Sequence, residues 1–281
     1  MNLLSPAWIL VALLVAPTQA AQTEPRDPHL VQPERPTVAT HAGTVARGWL
    51  ELEEGGEWDK DGDRQKSFFA PTNLKIGLAS NAQLNILFNV IDNRSVRNGN
   101  LTASDVTIGV KYRLVEDNHI LGDFALLPAI KFPTAREGEG GTGTTDFSLL
   151  LISSRQLGPV AMDLNAGATH RTGNGTSAPI HASIWTASFG FPITGPLGAV
   201  FEMFGYPGTS GPAGQKGSAA ILVGPTFLLR KWLALDAGII SPLTGPQPHA
   251  VYTGFVWSCG FCGRHRAGAG KWIPAEILTA K

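Results

Sequence analysis

Long and short connections alternate along this chain between segments of strand length, and that alternation restricts the fold more than any other feature. About twelve segments read as strands: Thr44–Glu54, Ser67–Leu78, Gln83–Ile91, Val106–Val115, Asp123–Phe132, Thr145–Ser153, Pro159–Thr169, Ile180–Phe191, Leu197–Tyr206, Ser218–Leu229, Leu233–Ile240 and Val251–Ser258. Each is close to the roughly 9–11 residues that a tilted membrane-crossing strand needs. The connections after the odd-numbered segments are long and polar: Gly55–Lys66, Asp92–Asp105, Pro133–Thr144, His170–Pro179, Pro207–Gly217 and Ser241–Ala250. Those at Ala79–Ala82, Ser154–Gly158, Pro192–Pro196 and Arg230–Trp232 are tight, and only Glu116–Gly122 is intermediate. An antiparallel barrel in the outer membrane has short periplasmic turns on one rim and longer external loops on the other, whereas a soluble sandwich has no reason for such alternation. The expected fold is therefore all-β: a single antiparallel transmembrane β-barrel of about twelve strands.

Side-chain patterning agrees. In the segment from Val160, Val160, Met162, Leu164, Ala166 and Ala168 fall on one face, and Ala161, Asp163, Asn165, Gly167 and Thr169 on the other. Val106, Ile108, Val110, Tyr112 and Leu114 alternate in the same way with Thr107, Gly109, Lys111 and Arg113. A period of two with one apolar and one polar face places lipid on one side of the wall and a wet lumen on the other. The polar set that should line the lumen includes Lys75, Asn85, Lys111, Arg113, Asp123, Lys131, Asp163, Asn165, Glu202 and Asp236. Charges of both signs on neighbouring strands should pair and stiffen whatever fills the lumen. That favours small, weakly charged solutes over ions. Aromatic residues near strand ends, among them Trp58, Phe132, Phe191, Tyr206, Trp232 and Trp257, fit interfacial girdles.

Only 16% of the residues are charged and the formal net charge is zero, which argues against a nucleic-acid partner. Leu3–Ala16 is apolar and precedes Thr18 and Ala20, small residues suited to cleavage after Ala20, so residues 1–20 read as an export signal. Residues 21–43, broken by Pro25, Pro28, Pro33 and Pro36, read as a mobile periplasmic leader that could fold into the barrel mouth. Residues 44–258 form the barrel and residues 259–281 a C-terminal extension.

Lys131-Phe-Pro-Thr with the Gly-rich loop after it, Gly143-Thr-Thr-Asp-Phe-Ser-Leu-Leu-Leu, Leu157-Gly-Pro and Asp163-Leu-Asn-Ala-Gly resemble the central signature of the meta-pathway of phenol degradation family. Val106-Thr-Ile-Gly-Val-Lys-Tyr-Arg and Thr253-Gly-Phe-Val-Trp extend the likeness. The resemblance implies an outer-membrane barrel that passes small hydrophobic or aromatic compounds, with outer-membrane lipid as its surroundings. It supplies no catalytic residues and no cofactor. The chain departs from such barrels at its end, where Cys259-Gly-Phe-Cys262 stands near the expected terminal aromatic. In an oxidising periplasm Cys259 and Cys262 read as a local disulfide.

Other chemistry is thin. His170 and His181 flank an external loop, no Ser, His and Asp spacing selects a triad, and a metal at Cys259 and Cys262 with His265 nearby lacks an evident fourth ligand. A structural or adhesive barrel and an outer-membrane lipid or ester hydrolase are the alternatives to transport. Oligomeric state and solute are not encoded in any motif.

Overall fold

The computed structural model describes residues 27, 29–61, 65–92, 103–137, 140–173, 180–208, 210 and 216–260. The segment read as an export signal and the stretch after Gly260, with Cys262 and so the expected disulfide, lie outside them. Twelve strands are formed: β1 (Trp49–Asp61), β2 (Gln65–Ala79), β3 (Ala82–Asp92), β4 (Val106–Asn118), β5 (Gly122–Phe132), β6 (Asp146–Leu157), β7 (Val160–Arg171), β8 (His181–Thr194), β9 (Leu197–Tyr206), β10 (Ser218–Arg230), β11 (Leu233–Thr244) and β12 (His249–Gly260). Each pairs antiparallel with its sequence neighbours, and β1 pairs with β12 from Trp49↔Gly260 to Lys60↔His249, closing the barrel. Closure satisfies every edge, which lipid requires.

The tight rim is built as the sequence indicates. Ser80-Asn81, Gly158-Pro159, Gly195-Pro196 and Lys231-Trp232 each make a two-residue turn. Gly158 and Gly195 take positive φ angles of 60° and 51° at the first turn position, a conformation that only glycine adopts without strain. The opposite rim carries the connections 93–105, 133–145, 172–180 and 207–217.

Two connections expected to be long are short. β1 runs on to Asp61 and β2 begins at Gln65, while β11 runs to Thr244 and β12 starts at His249. Most of Gly55–Lys66 and Ser241–Ala250 is therefore sheet. Gly55 and Gly56, which look like loop residues, lie within the wall, and Trp58 and Phe68 stack across the hairpin at 5.0 Å. At the other end of β1, Thr44–Gly48 is not strand. There Thr44 Oγ1 donates to the Ser80 carbonyl at 3.0 Å, and the Gly48 N–H to that of Gly77 at 2.9 Å.

The apolar dyad faces outward. Val110, Tyr112, Leu149, Leu151, Leu164, Val223, Leu235, Ile239 and Val251 are all exposed, a girdle far larger than a soluble monomer presents. Their sequence neighbours Lys111, Asn165, Leu222, Asp236 and Tyr252 are buried inside. Leu164→Arg should consequently cost about 2–4 kcal/mol, as a cation placed at mid-wall in lipid does. Urea unfolding in bilayers, compared with the wild type, measures it, and an unchanged midpoint would show that the outward face is misassigned.

The barrel interior is packed rather than open. Val200, Phe204, Ala220, Leu222, Ile240, Ala250 and Tyr252 form one buried apolar cluster on the β9–β12 wall. Ala125 and Ile152 form another with Ala42, which belongs to the leader.

Candidate functional site

The leader has the irregular backbone that its prolines demand, but it is not a loose tail. From Val31 to Gly48 it runs through the lumen and makes a circuit of the wall. A backbone without regular structure in a dry interior must find acceptors for its N–H groups, because each one left unpaired costs about 1–3 kcal/mol. Here inward side chains of five strands supply them. The N–H of Gln32 donates to Glu51 and that of Glu34 to Glu53, both at 2.7 Å and both on β1. Those of Val38 and Ala39 donate to the two carboxylate oxygens of Glu202 on β9, at 2.8 and 2.7 Å. Asn165 on β7 grips Thr40 twice, accepting from its N–H at 2.8 Å and donating to its carbonyl at 2.9 Å. The Ala42 N–H donates to Ser154 Oγ on β6 at 2.7 Å, and the Val45 N–H to Gln83 on β3 at 2.8 Å. The Ser154 hydroxyl in turn donates to Asp163 at 2.5 Å.

Charges lock the same segment. Lys75 on β2 is fully buried between its register partner Glu51, at 2.5 Å, and Glu53, at 2.8 Å, and also donates to the Gln32 carbonyl at 2.6 Å. Lys111 on β4 pairs with Glu34 and donates to the His41 carbonyl at 2.8 Å. Arg35 reaches Asp236 on β11 at 3.3 Å and the Thr253 carbonyl at 3.3 Å. Its guanidinium passes between Gly55 and Gly254, where an added Cβ would fall 2.3 and 2.6 Å from it. Those two glycines are a slot in the wall for one leader side chain.

Burial, then the neighbouring Lys111, pushes the His41 imidazole down to about 3, so it is neutral when seated. Burial opposes charge on Glu34, but Lys111 and Lys75 hold its carboxyl well below the ordinary carboxylate range. The signs follow. A released His41 takes up a proton below its ordinary value of 6.5 while the seated one does not, so the contribution of His41 to seating is largest above that pH and is lost as pH falls. Glu34 is charged when seated and adds to the loss only below its ordinary 4.5. Hydrogen exchange at the Val38, Ala39, Thr40 and Ala42 amides, corrected for intrinsic rates, should show protection in the wild type falling relative to that in His41→Asn between pH 7 and pH 5. The same pH profile in both proteins would contradict the assignment.

The ten expected lumen residues thus separate. Lys75, Lys111, Asn165, Glu202 and Asp236 are the leader's partners rather than a wet selectivity surface, and Asp163 supports them through Ser154. On those strands the polar face meets the leader, whereas Asn85 and Lys131 line the cavity above it. Asn85 lies inside and accepts from Gln83 at 3.1 Å. Arg113 and Asp123 sit at the tight-turn rim: Arg113 donates to the Ser80 carbonyl at 3.1 Å and pairs with Glu116, and Asp123 accepts the Asp117 N–H at 2.9 Å. Lys131 is at the long-loop rim, 2.7 Å from Asp146, and also bonds Thr142. Glu34, Arg35, His41, Glu51, Glu53, Gln83 and Ser154 were not expected. For Glu51 and Glu53 a signal existed, because they alternate with Leu50 and Leu52.

Above the leader lies a cavity of about 570 Å³ on the long-loop side. Residues 34–40 are its floor, and Asp105, Lys131 and Thr142 stand at its mouth. Leu87, Leu127, Leu150, Leu222 and Ile240 give it apolar walls, with Thr72, Asn73 and Asn85 as neutral polar groups between them. Asp105 pins the loops above by accepting the N–H groups of Ala135 at 3.2 Å and Thr142 at 2.8 Å.

Fold and interior define a closed twelve-stranded barrel with an internal plug contributed by its own leader. The chain belongs to the family described as "Putative MetA-pathway of phenol degradation", whose model matches residues 36–247 and so begins inside the plug. Among solved structures it is similar to the COG4313 outer membrane channel from Pseudomonas putida F1, with a TM-score of 0.60 at 12% identity over 78% of this chain and 98% of that one. It is also similar to the outer membrane protein Omp33 from Acinetobacter baumannii, with a TM-score of 0.39 at 9% identity over 75% of this chain and 98% of that one. At these identities the first likeness is one of fold, and the second is too low to bear on the argument. No curated protein matches the sequence.

Proposed function

We propose that the chain is an outer-membrane channel that admits small, weakly charged, hydrophobic or aromatic solutes past a plug formed by its leader. The observation that carries this is the cavity between plug and long-loop rim. Its size falls within the roughly 300–1,000 Å³ of small-molecule sites, and its lining combines apolar walls and neutral hydrogen-bonding groups with the charged Glu34, Arg35, Glu53, Glu57, Asp105 and Lys131. Most of these charges are paired, Glu34 with Lys111, Arg35 with Asp236, Glu53 with Lys75 and Lys131 with Asp105 and Asp146, which weakens the field each presents to a passing ion. Membership in the family supports aromatic or hydrophobic cargo. The exposed apolar girdle and the signal segment support the outer membrane, with the tight turns in the periplasm and the long loops outside.

Liposome swelling tests the proposal. Vesicles holding the mature protein should swell faster in phenol-like solutes than protein-free vesicles, and no faster in charged solutes of equal size. Equal swelling with and without protein would remove the channel and favour a structural barrel. Turnover of a lipid or ester abolished by one Ser or His substitution would favour a hydrolase.

A further inference from the structure

The outer wall carries a second feature that the channel does not use. Phe147, His170 and His181 lie in one row across β6, β7 and β8, with His170 and His181 as direct register partners. Both imidazoles are exposed, on the same outward face as Phe147 and Leu149, close to the connection 172–180 at the long-loop rim. Their Nδ1 atoms are 3.5 Å apart while the ring centroids are 5.0 Å apart, so the nitrogens turn toward each other. A neutral imidazole pair gains little at that separation, which is at the far limit of a hydrogen bond.

Two nitrogens that share one tetrahedral metal at about 2.0–2.1 Å stand about 3.3–3.4 Å apart. The observed spacing is within a small rotation of that value. We propose that His170 and His181 are a two-imidazole site for a divalent transition metal of the zinc, nickel or copper kind, on the outer surface of the barrel. Among the described residues no cluster of three or more His, Cys, Asp or Glu side chains is available, so water completes the coordination. Imidazole nitrogen favours these ions over magnesium and calcium, which prefer oxygen. Strand pairing holds the two Cα atoms in place before any metal arrives, which lowers the entropy cost of chelation. A bound ion would staple β7 to β8 beside their loop. A groove of about 300 Å³ bounded by Phe147, Leu149 and Ala168 adjoins the pair.

The site faces away from the lumen, so its test is independent of the channel. Untagged, metal-stripped mature protein is titrated calorimetrically with nickel, zinc, magnesium and calcium. Because the chain has seven histidines, the variants decide which of them bind. Nickel and zinc should bind, and magnesium and calcium should not. Loss of even a ligand's hydrogen-bond partner weakens metal sites about 10–100-fold, so His170→Ala and His181→Ala should each weaken binding at least about tenfold. The double variant should be little worse than either, and His249→Ala should match the wild type. Without metal, the single variants should unfold at the wild-type midpoint, whereas zinc should raise the midpoint of the wild type alone. Binding that survives in both single variants, or fails in the wild type at millimolar metal, overturns the proposal.

Discussion

A mature chain that lacks Gln22–Gly43 should insert and close as a barrel yet conduct ions several-fold better than the intact protein in planar bilayers. The strands pair with one another, not with the leader, so the wall survives the deletion. What is lost is the floor of the cavity and every hydrogen bond that residues 32–42 make with the wall. A twelve-stranded barrel is narrower than the roughly 16–18-stranded porins, but once emptied it is wide enough for water and small ions. Lys111, Glu202 and Asp236, stripped of their leader partners, would then be hydrated and would act on passing ions. Equal conductance before and after deletion would show that the leader does not obstruct the path.

Lys75→Met should be the most damaging single substitution in the lumen. It removes the cation that two buried carboxylates and a leader carbonyl share, and breaking a buried pair by deleting one partner costs about 3–5 kcal/mol. The cost falls on seating of the leader, because Glu51 and Glu53 also accept the N–H groups of Gln32 and Glu34. The expected result is loss of amide protection from Gln32 to Ala42 and a conductance that approaches that of the leader deletion. Adding Glu51→Gln and Glu53→Gln should restore part of the protection, since no unpaired charge then remains. Wild-type protection in Lys75→Met would show that the ion pairs do not hold the plug.

The strands themselves were legible because their pattern is local. Leu164 and Asn165, or Val110 and Lys111, announce two environments at a period of two, and Gly158-Pro159 announces its turn by conformation alone. That the leader could enter the barrel mouth was legible in its prolines and position, but its contacts were not, because they join residues far apart in sequence. Nothing near Val38 says that its N–H will meet Glu202, and nothing near Gly55 says that the missing side chain makes room for Arg35. For the same reason Gly55 and Gly56 read as a loop, although a glycine in a barrel wall can mark a neighbour's close approach as well as a bend. The His170 and His181 pair was visible only as two ends of a connection. Register, carried along the β7–β8 ladder from Ala161↔Gly190, is what brings them side by side.

The acceptors that hold the leader come from β1, β3, β6, β7 and β9, with the Arg35 partner on β11. No run of neighbouring strands smaller than nearly the whole barrel contains that socket, and the leader joins the wall at β1, one side of the closing seam. Complete seating therefore belongs late in assembly: the full ring of partners exists only once the strands from β1 to β11 stand in place, and until the leader fills that ring a new copy is expected to leak more than a finished one.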